Sequence, residues 1–178
     1  MSITIVSSAE HEFSQEERDA LFEIMRDAYA RTEYEIWGEN YLRIPKHEFE
    51  ELIDQGNIFG AKLDGQVVGT LFLKKMNPEE SSFGLLGVHS SAEGRGVGSK
   101  LIEAAENHAL VQGSGYMVLD ILRPRDFELS LKKRLRKWYE GMGYVFTHHQ
   151  NFEDRRPDRA KDLKVPSVFD CYRKELKK

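Results

Sequence analysis

The residues best suited to chemistry lie in one stretch, Glu93-Gly94-Arg95-Gly96-Val97-Gly98-Ser99-Lys100. It follows an apolar run, Leu85-Leu86-Gly87-Val88, and leads at once into apolar residues at helical spacing: Val97, Leu101, Ala104 and Ala105. Glycine lacks a Cβ, so glycines spaced two apart let several backbone N–H groups come close to a ligand. Those donors open a helix whose N-terminus carries partial positive charge, which suits a phosphate or pyrophosphate. A tight strand-to-helix turn without a ligand is the plainer alternative.

Two familiar phosphate motifs fit poorly. A P-loop needs a second glycine five residues after the first, and that count from Gly94 lands on Ser99. A dinucleotide fingerprint accepts Gly94 and Gly96 but again meets Ser99, and starting from Gly96 and Gly98 it meets Leu101. Asp120 follows at a tempting distance, so a nicotinamide-dependent oxidoreductase stays as a rival that predicts binding of NAD and not of CoA.

The elements that must position this loop read as follows. Ile3-Thr4-Ile5-Val6 is a strand by its β-branched content. Ser14 and Glu17 form a capping box before a helix carrying Leu21, Ile24, Met25 and Ala28. A loop rich in aromatic and acidic residues spans 31–43, and Pro45 opens a second helix through Phe49 and Ile53. Strands at 57–63 and 66–74 form a hairpin across Asp64-Gly65. A strand at 83–89 leads into the glycine turn and its helix. A buried strand at 116–122 and a helix bearing Leu131, Leu135, Trp138 and Met142 come next. Strands at 144–150 and 167–175 flank a charged loop at 151–164. The expected architecture is one α/β layered domain over residues 1–178.

Composition sets the outer limits. The chain has 178 residues, 40% apolar and 31% charged, with a formal charge of −4, which argues against coating a nucleic acid. Its single cysteine, Cys171, excludes an internal disulfide framework and reads as packing, so a reducing, cytoplasmic setting is expected. No apolar run has the roughly 18–20 residues of a membrane span, and no metal site is implied, because His148 and His149 alternate across a strand.

With these motifs in place, the chain resembles the GNAT superfamily of acyl-CoA-dependent N-acyltransferases. The family loop, Gln/Arg-x-x-Gly-x-Gly/Ala, matches Glu93-Gly94-Arg95-Gly96-Val97-Gly98, and Leu86-Gly87-Val88-His89 before it is family-like. Val118-Leu119-Asp120-Ile121 resembles the fifth strand, and Trp138-Tyr139-Glu140-Gly141-Met142-Gly143-Tyr144 the helix end that follows. The resemblance implies a mixed sheet of about seven strands with about four helices. Its fourth and fifth strands splay, so that the pantetheine arm of acetyl-CoA adds along Leu86, Gly87 and Val88. The resemblance gives the Val88 N–H to the thioester carbonyl and the amides of 94–99 to the pyrophosphate, with Arg95 and Lys100 as cations. It makes Tyr139 the general acid. Glu93 departs from the usual Gln or Arg, and Lys132 stands seven residues before Tyr139 where the family often has Asn. Lys132 either reaches the cofactor differently or faces water.

The fourth strand carries no glutamate to act as base, which leaves Glu33, Glu35 or, less aptly, His89. Tyr34, Trp37 and Tyr41 are candidates to line an acceptor pocket, with Glu33, Glu35 and Glu39 attracting a cationic amine. Arg155, Arg156 and Arg159 alternate with acidic residues, which suggests a self-paired, solvated loop. The expected activity is acetyl transfer from acetyl-CoA to a primary amine by direct attack. A non-catalytic CoA-binding sensor is the alternative, and a homodimer fits the resemblance.

Overall fold

The computed structural model describes residues 2–39 and 42–176. Strand β1 (Ile3–Ser7) pairs antiparallel with β2 (Ile58–Leu63). Between them, α1 (Gln15–Thr32) starts at the expected capping box: Ser14 Oγ accepts from Glu17 N–H, and the Glu17 carboxylate accepts from Ser14 N–H. The stretch expected as a loop is largely helical. Helix α1 runs through Thr32, and α2 (Tyr34–Trp37) adds a turn because Ile36 and Trp37 bury themselves against Phe152 and Phe169. Pro45 is extended and precedes α3 (Lys46–Asp54) instead of forming its first residue.

The β2–β3 hairpin forms as expected, with β3 spanning Gln66–Lys75. Asp64 and Gly65 have φ of 51° and 86°, the pair of positive values that a two-residue turn matched to strand twist requires. Strand β4 (Glu80–Val88) begins three residues earlier than read from sequence, because Glu80, Ser81 and Ser82 pair with β5 (Tyr116–Pro124). Then come α4 (Val97–Val111), α5 (Ser130–Gly141), β6 (Val145–Asn151), the single turn α6 (Phe152–Arg155) and β7 (Ser167–Glu175). The sheet order is β1-β2-β3-β4-β5-β7-β6, antiparallel except for the parallel β4–β5 pair. Helices α1 and α3 cover one face through Leu21, Phe22, Phe49 and Ile53, and α4 and α5 cover the other through Leu101, Ala105 and Tyr139. Among the described residues, no helix is long and apolar enough to cross a membrane.

Two irregularities of β4 shape the molecule. Its pairing with β5 ends at Ser82↔Val118, whereas β5 stays bonded to β7 as far as Pro124↔Ser167. The two strands therefore part and leave a wedge in the middle of the sheet. Register with β3 also slips, from Phe72↔Gly84 to Thr70↔Gly87, and Leu85 takes a φ of 51°. This is a β-bulge, and one extra residue reverses which face each side chain meets. Phe83 lies on the α5 side, but Gly87, four residues on, backs onto α1.

Gly87 permits that close approach. A Cβ there would come within 3.0 Å of Ile24 O and 3.3 Å of Met25 Cα, which are backbone atoms that cannot rotate away. Gly87→Val is therefore expected to cost about 1–3 kcal/mol through overpacking. Urea unfolding measures it, and a midpoint equal to the wild type's would show that α1 stands off β4.

Candidate active site

The glycine turn is shaped as its residues imply. Gly94 and Gly96 have φ of 77° and 82°, and a Cβ on either would meet nothing within 4 Å, so the left-handed turn lies open on its outer side. Gly96 caps α4 and, among the described residues, no side chain bonds to the first-turn amides, which leaves Val97, Gly98 and Ser99 presenting donors at the positive end of a 15-residue helix. Val97 is buried as an anchor, while Arg95, Ser99 and Lys100 are exposed around the turn. Gly98 serves packing: a Cβ would lie 3.0 Å from the Trp138 ring. Glu93 swings toward Arg31, with 3.5 Å between Oε1 and Nη1, so its charge is shared at an exposed position. These features fit a pyrophosphate bound by backbone amides.

The wedge supplies the second half of the site. His89 N–H donates to Val68 O at 2.7 Å, toward β3. Successive amides of a strand point to opposite edges, so the Val88 N–H is directed away from β3 and into the wedge. Tyr29, on α1, places its hydroxyl within reach of the backbone N–H groups of Leu85 and Leu86 at the bulge. Tyr139, on α5, comes from the opposite face and packs against Phe83, Trp138 and Tyr144, with ring centroids 5.9, 5.1 and 6.0 Å away. Burial, followed by the neighbouring Tyr29, pushes the Tyr139 phenol above its ordinary value, so it stays protonated throughout the physiological range.

Helix α5 turns differently from its apolar stripe. The expected core face included Leu131, which is 46% exposed; the residues that bury are Lys132 and Tyr139, seven apart and so on one face. Lys132 does not face water. Its Nζ donates to Glu33 Oε2 at 2.7 Å, tying the start of α5 to the end of α1. Glu33 also accepts at Oε1 from Arg43 Nη1 at 2.7 Å and from Trp37 Nε1 at 3.0 Å. Burial acts to raise this carboxyl, but the charges of Arg43 and Lys132 and the bonds from Lys132 and Trp37 outweigh it, holding the group below the usual carboxylate range. A carboxylate so held is a poor proton acceptor. Glu35 is exposed on α2.

Of the acceptor-pocket candidates, Tyr34 and Trp37 line a cavity with Tyr29, Glu33 and Arg43, while Tyr41 lies outside the described residues. The arginine-rich loop is not simply self-paired. Arg156 does pair with Asp158, but Arg155 reaches Asp120 and stacks over Phe169 at 4.2 Å, and Arg159 donates to the carbonyls of Leu42 and Arg43. Cys171 is buried, and desolvation, reinforced by Asp120, pushes its thiol up to about 11, too high for a neutral-pH nucleophile. Sequence reasoning missed Tyr29, Arg43 and the bulge. Tyr29 follows Met25 at helical spacing and reads as ordinary core. The paired Leu85-Leu86, which breaks strand alternation, is the one available sign of the bulge.

The sequence model of the Acetyltransferase (GNAT) family matches residues 19–145. The chain belongs to the GNAT acetyltransferase family. No curated protein matches it in sequence. Its fold is similar to Ard1 from Thermoplasma volcanium, with TM-score 0.68 and 17% identity over all of both chains. It is also similar to yncA, a putative acetyltransferase from Salmonella typhimurium solved with its cofactor acetyl-CoA, with TM-score 0.68 and 16% identity over 100% of this chain and 96% of that one. A GNAT family acetyltransferase from Elizabethkingia anophelis with acetyl-CoA bound gives TM-score 0.65 and 14% identity over 98% of each chain. The co-substrate of this GNAT chain is acetyl-CoA, and the open glycine turn, the uncapped α4 amides and the β4–β5 wedge are the features that fit it.

Proposed function

We propose that this GNAT chain is an N-acetyltransferase, moving the acetyl group to a primary amine by direct attack and without an acetylated enzyme. The observation that carries the reading is the wedge. A strand edge with an inward-pointing amide at Val88 opens beside a buried, protonated phenol at Tyr139 and ends at an uncapped helix N-terminus.

Acetyl-CoA supplies the activated acyl group as a thioester. The amides of Val97, Gly98 and Ser99 hold its pyrophosphate, with Arg95 and Lys100 adding charge at the rim. The edge of β4 around Leu86, Gly87 and Val88 that β5 leaves unpaired receives the pantetheine arm in the manner of an added strand. The Val88 N–H meets the negative charge that develops on the carbonyl oxygen, an effect worth about 3–4 kcal/mol in comparable sites. The acceptor ammonium gives its proton to solvent before attack. Tyr139 donates its phenolic proton to the departing sulfur, and the proton left on the acylated nitrogen restores the phenol. Glu33 is an anchor for Trp37, Arg43 and Lys132 in this scheme and not the base. The absence of a low-pKa thiol at Cys171 favours direct transfer.

Unfolding in the presence of acetyl-CoA, CoA and NAD, followed by thiol release on an amine panel, tests this. A ligand at about 100 times its Kd stabilises the native state by about 2.7 kcal/mol. Acetyl-CoA and CoA are expected to shift the transition and NAD to leave it. Gly96→Val, strained at a φ of 82°, is expected to weaken acetyl-CoA at least tenfold. A shift with NAD alone would overturn the reading.

A further inference from the structure

Helices α1 and α5 cover opposite faces of the sheet, yet a side chain of one bonds directly to a side chain of the other. A continuous sheet would keep them apart, since stacked layers stand about 10 Å from one another. The bond from Lys132 Nζ to Glu33 Oε2, at 2.7 Å, therefore passes beyond the last β4–β5 pair, Ser82↔Val118, where the sheet is no longer continuous. Both side chains are buried, with 7% and 2% exposed.

Packing alone fixes the start of α5 poorly. Lys132 is the one buried residue from Ser130 to Trp138, Leu131 is half-exposed, and Leu129 at the N-cap gives no side-chain bond to the first turn. The other end of the bond is well braced. Glu33 also accepts from Arg43 and Trp37, and the Arg43 guanidinium lies 4.7 Å over the Tyr29 ring. Tyr29 and Glu33 are four apart on α1 and share a face, as Lys132 and Tyr139 do on α5. Tyr29 is close enough to Tyr139 to act on its phenol electrostatically. Two rungs thus join the helices, Glu33 with Lys132 and Tyr29 with Tyr139.

We propose that Lys132 is a positioning residue for acetyl transfer: its bond to Glu33 sets the rotation of α5 about its axis, and so the place of the Tyr139 hydroxyl beside β4. The inference rests on Tyr139 as the general acid. Phe83 and Tyr144 keep the Tyr139 ring buried, but apolar packing has no direction, whereas a charged hydrogen bond fixes a length and an angle. Rotating α5 by about 10° carries an atom about 6 Å from its axis sideways by about 1 Å. A misplacement of about 1 Å costs up to about a hundredfold in rate.

Thiol release from acetyl-CoA is measured with the most active amine of the panel for Lys132→Met, Lys132→Arg, Tyr139→Phe and the double variant Lys132→Met with Tyr139→Phe. Glu33 keeps Arg43 and Trp37 as partners in Lys132→Met, so this variant is expected to fold. It should lower kcat about ten- to a hundredfold and leave KM for acetyl-CoA at its wild-type value. Lys132→Arg keeps the charge with a different shape and should recover part of the loss. With no hydroxyl left to place, Lys132→Met in the Tyr139→Phe background should cost less than about twofold. An equal loss in both backgrounds, an unchanged kcat in Lys132→Met, or a parallel rise in KM for acetyl-CoA would overturn the proposal. If Tyr139→Phe leaves kcat unchanged, or no amine turns over, the acid or the transfer reading fails by itself. The positioning is then judged by the Cζ resonance of Tyr139 in protein carrying tyrosine isotopically labelled at Cζ, identified by its loss in Tyr139→Phe. A resonance that moves in Lys132→Met and returns toward wild type in Lys132→Arg supports the proposal, and one that stays in place overturns it.

Discussion

Tyr139→Phe lowers kcat by about a hundredfold to ten-thousandfold, the usual contribution of a positioned general acid, and leaves stabilisation by acetyl-CoA at its wild-type size. The asymmetry follows from where the ring and the hydroxyl lie. The ring is buried among Phe83, Trp138 and Tyr144 and is kept by phenylalanine, so packing and the wedge survive. The hydroxyl is lost, and with it a phenol that burial keeps protonated well beyond neutral pH. Turnover of the wild type should therefore fall at low pH as the acceptor amine is held protonated, with no fall from Tyr139 ionisation up to about pH 10. Single-turnover thiol release with separate acetyl-CoA titration reads both effects. Unchanged kcat would remove Tyr139 from proton transfer. A variant with parallel losses in turnover and acetyl-CoA affinity would make the hydroxyl part of the binding surface. A wild type that binds acetyl-CoA but turns over no amine would be the non-catalytic sensor.

The contrast between what could and could not be read from the residues follows from the range of the forces involved. The hairpin at Asp64-Gly65, the capping box at Ser14 and the glycine turn are local: a few adjacent residues determine them, and they form where expected. The mixed seven-stranded sheet and the family were legible because the glycine loop and the Trp138-Tyr139 helix end recur in a fixed sequence of elements. The bulge was not, since Leu85 at φ 51° is held by its neighbours against the preference of leucine. Nor was the inward face of α5. Hydrophobic periodicity favoured Leu131, yet a lysine is buried there because a carboxylate 99 positions away in sequence waits for it. The same long-range pairing converts Glu33 from a candidate base into a fixed anion.

That pairing makes Glu33 the residue whose loss should most damage the fold around the site. Glu33→Ala strands Arg43 and Lys132 without a partner in a buried place, and breaking a buried pair from one side costs about 3–5 kcal/mol. Against a typical total of about 5–15 kcal/mol this approaches global unfolding, so Glu33→Gln and the double variant Glu33→Gln with Lys132→Met are the useful companions. The glutamine keeps the shape and an acceptor for Trp37 but removes the charge. In the double variant one of the two stranded cations disappears, so its cost should be less than the sum of the two single costs. The pH dependence has a definite sign. The Glu33 carboxyl is held below its ordinary value in the folded chain, so its contribution is complete above about pH 4–5 and is lost as pH falls through the depressed native value. Glu33→Gln should flatten that acid limb and leave stability between pH 6 and 8 uniformly lower. Urea midpoints across pH read both the size and the slope. If Glu33→Gln costs less than about 0.5 kcal/mol, the value of an ordinary surface change, water reaches the Arg43, Glu33 and Lys132 cluster and the cluster does not anchor α5 to α1.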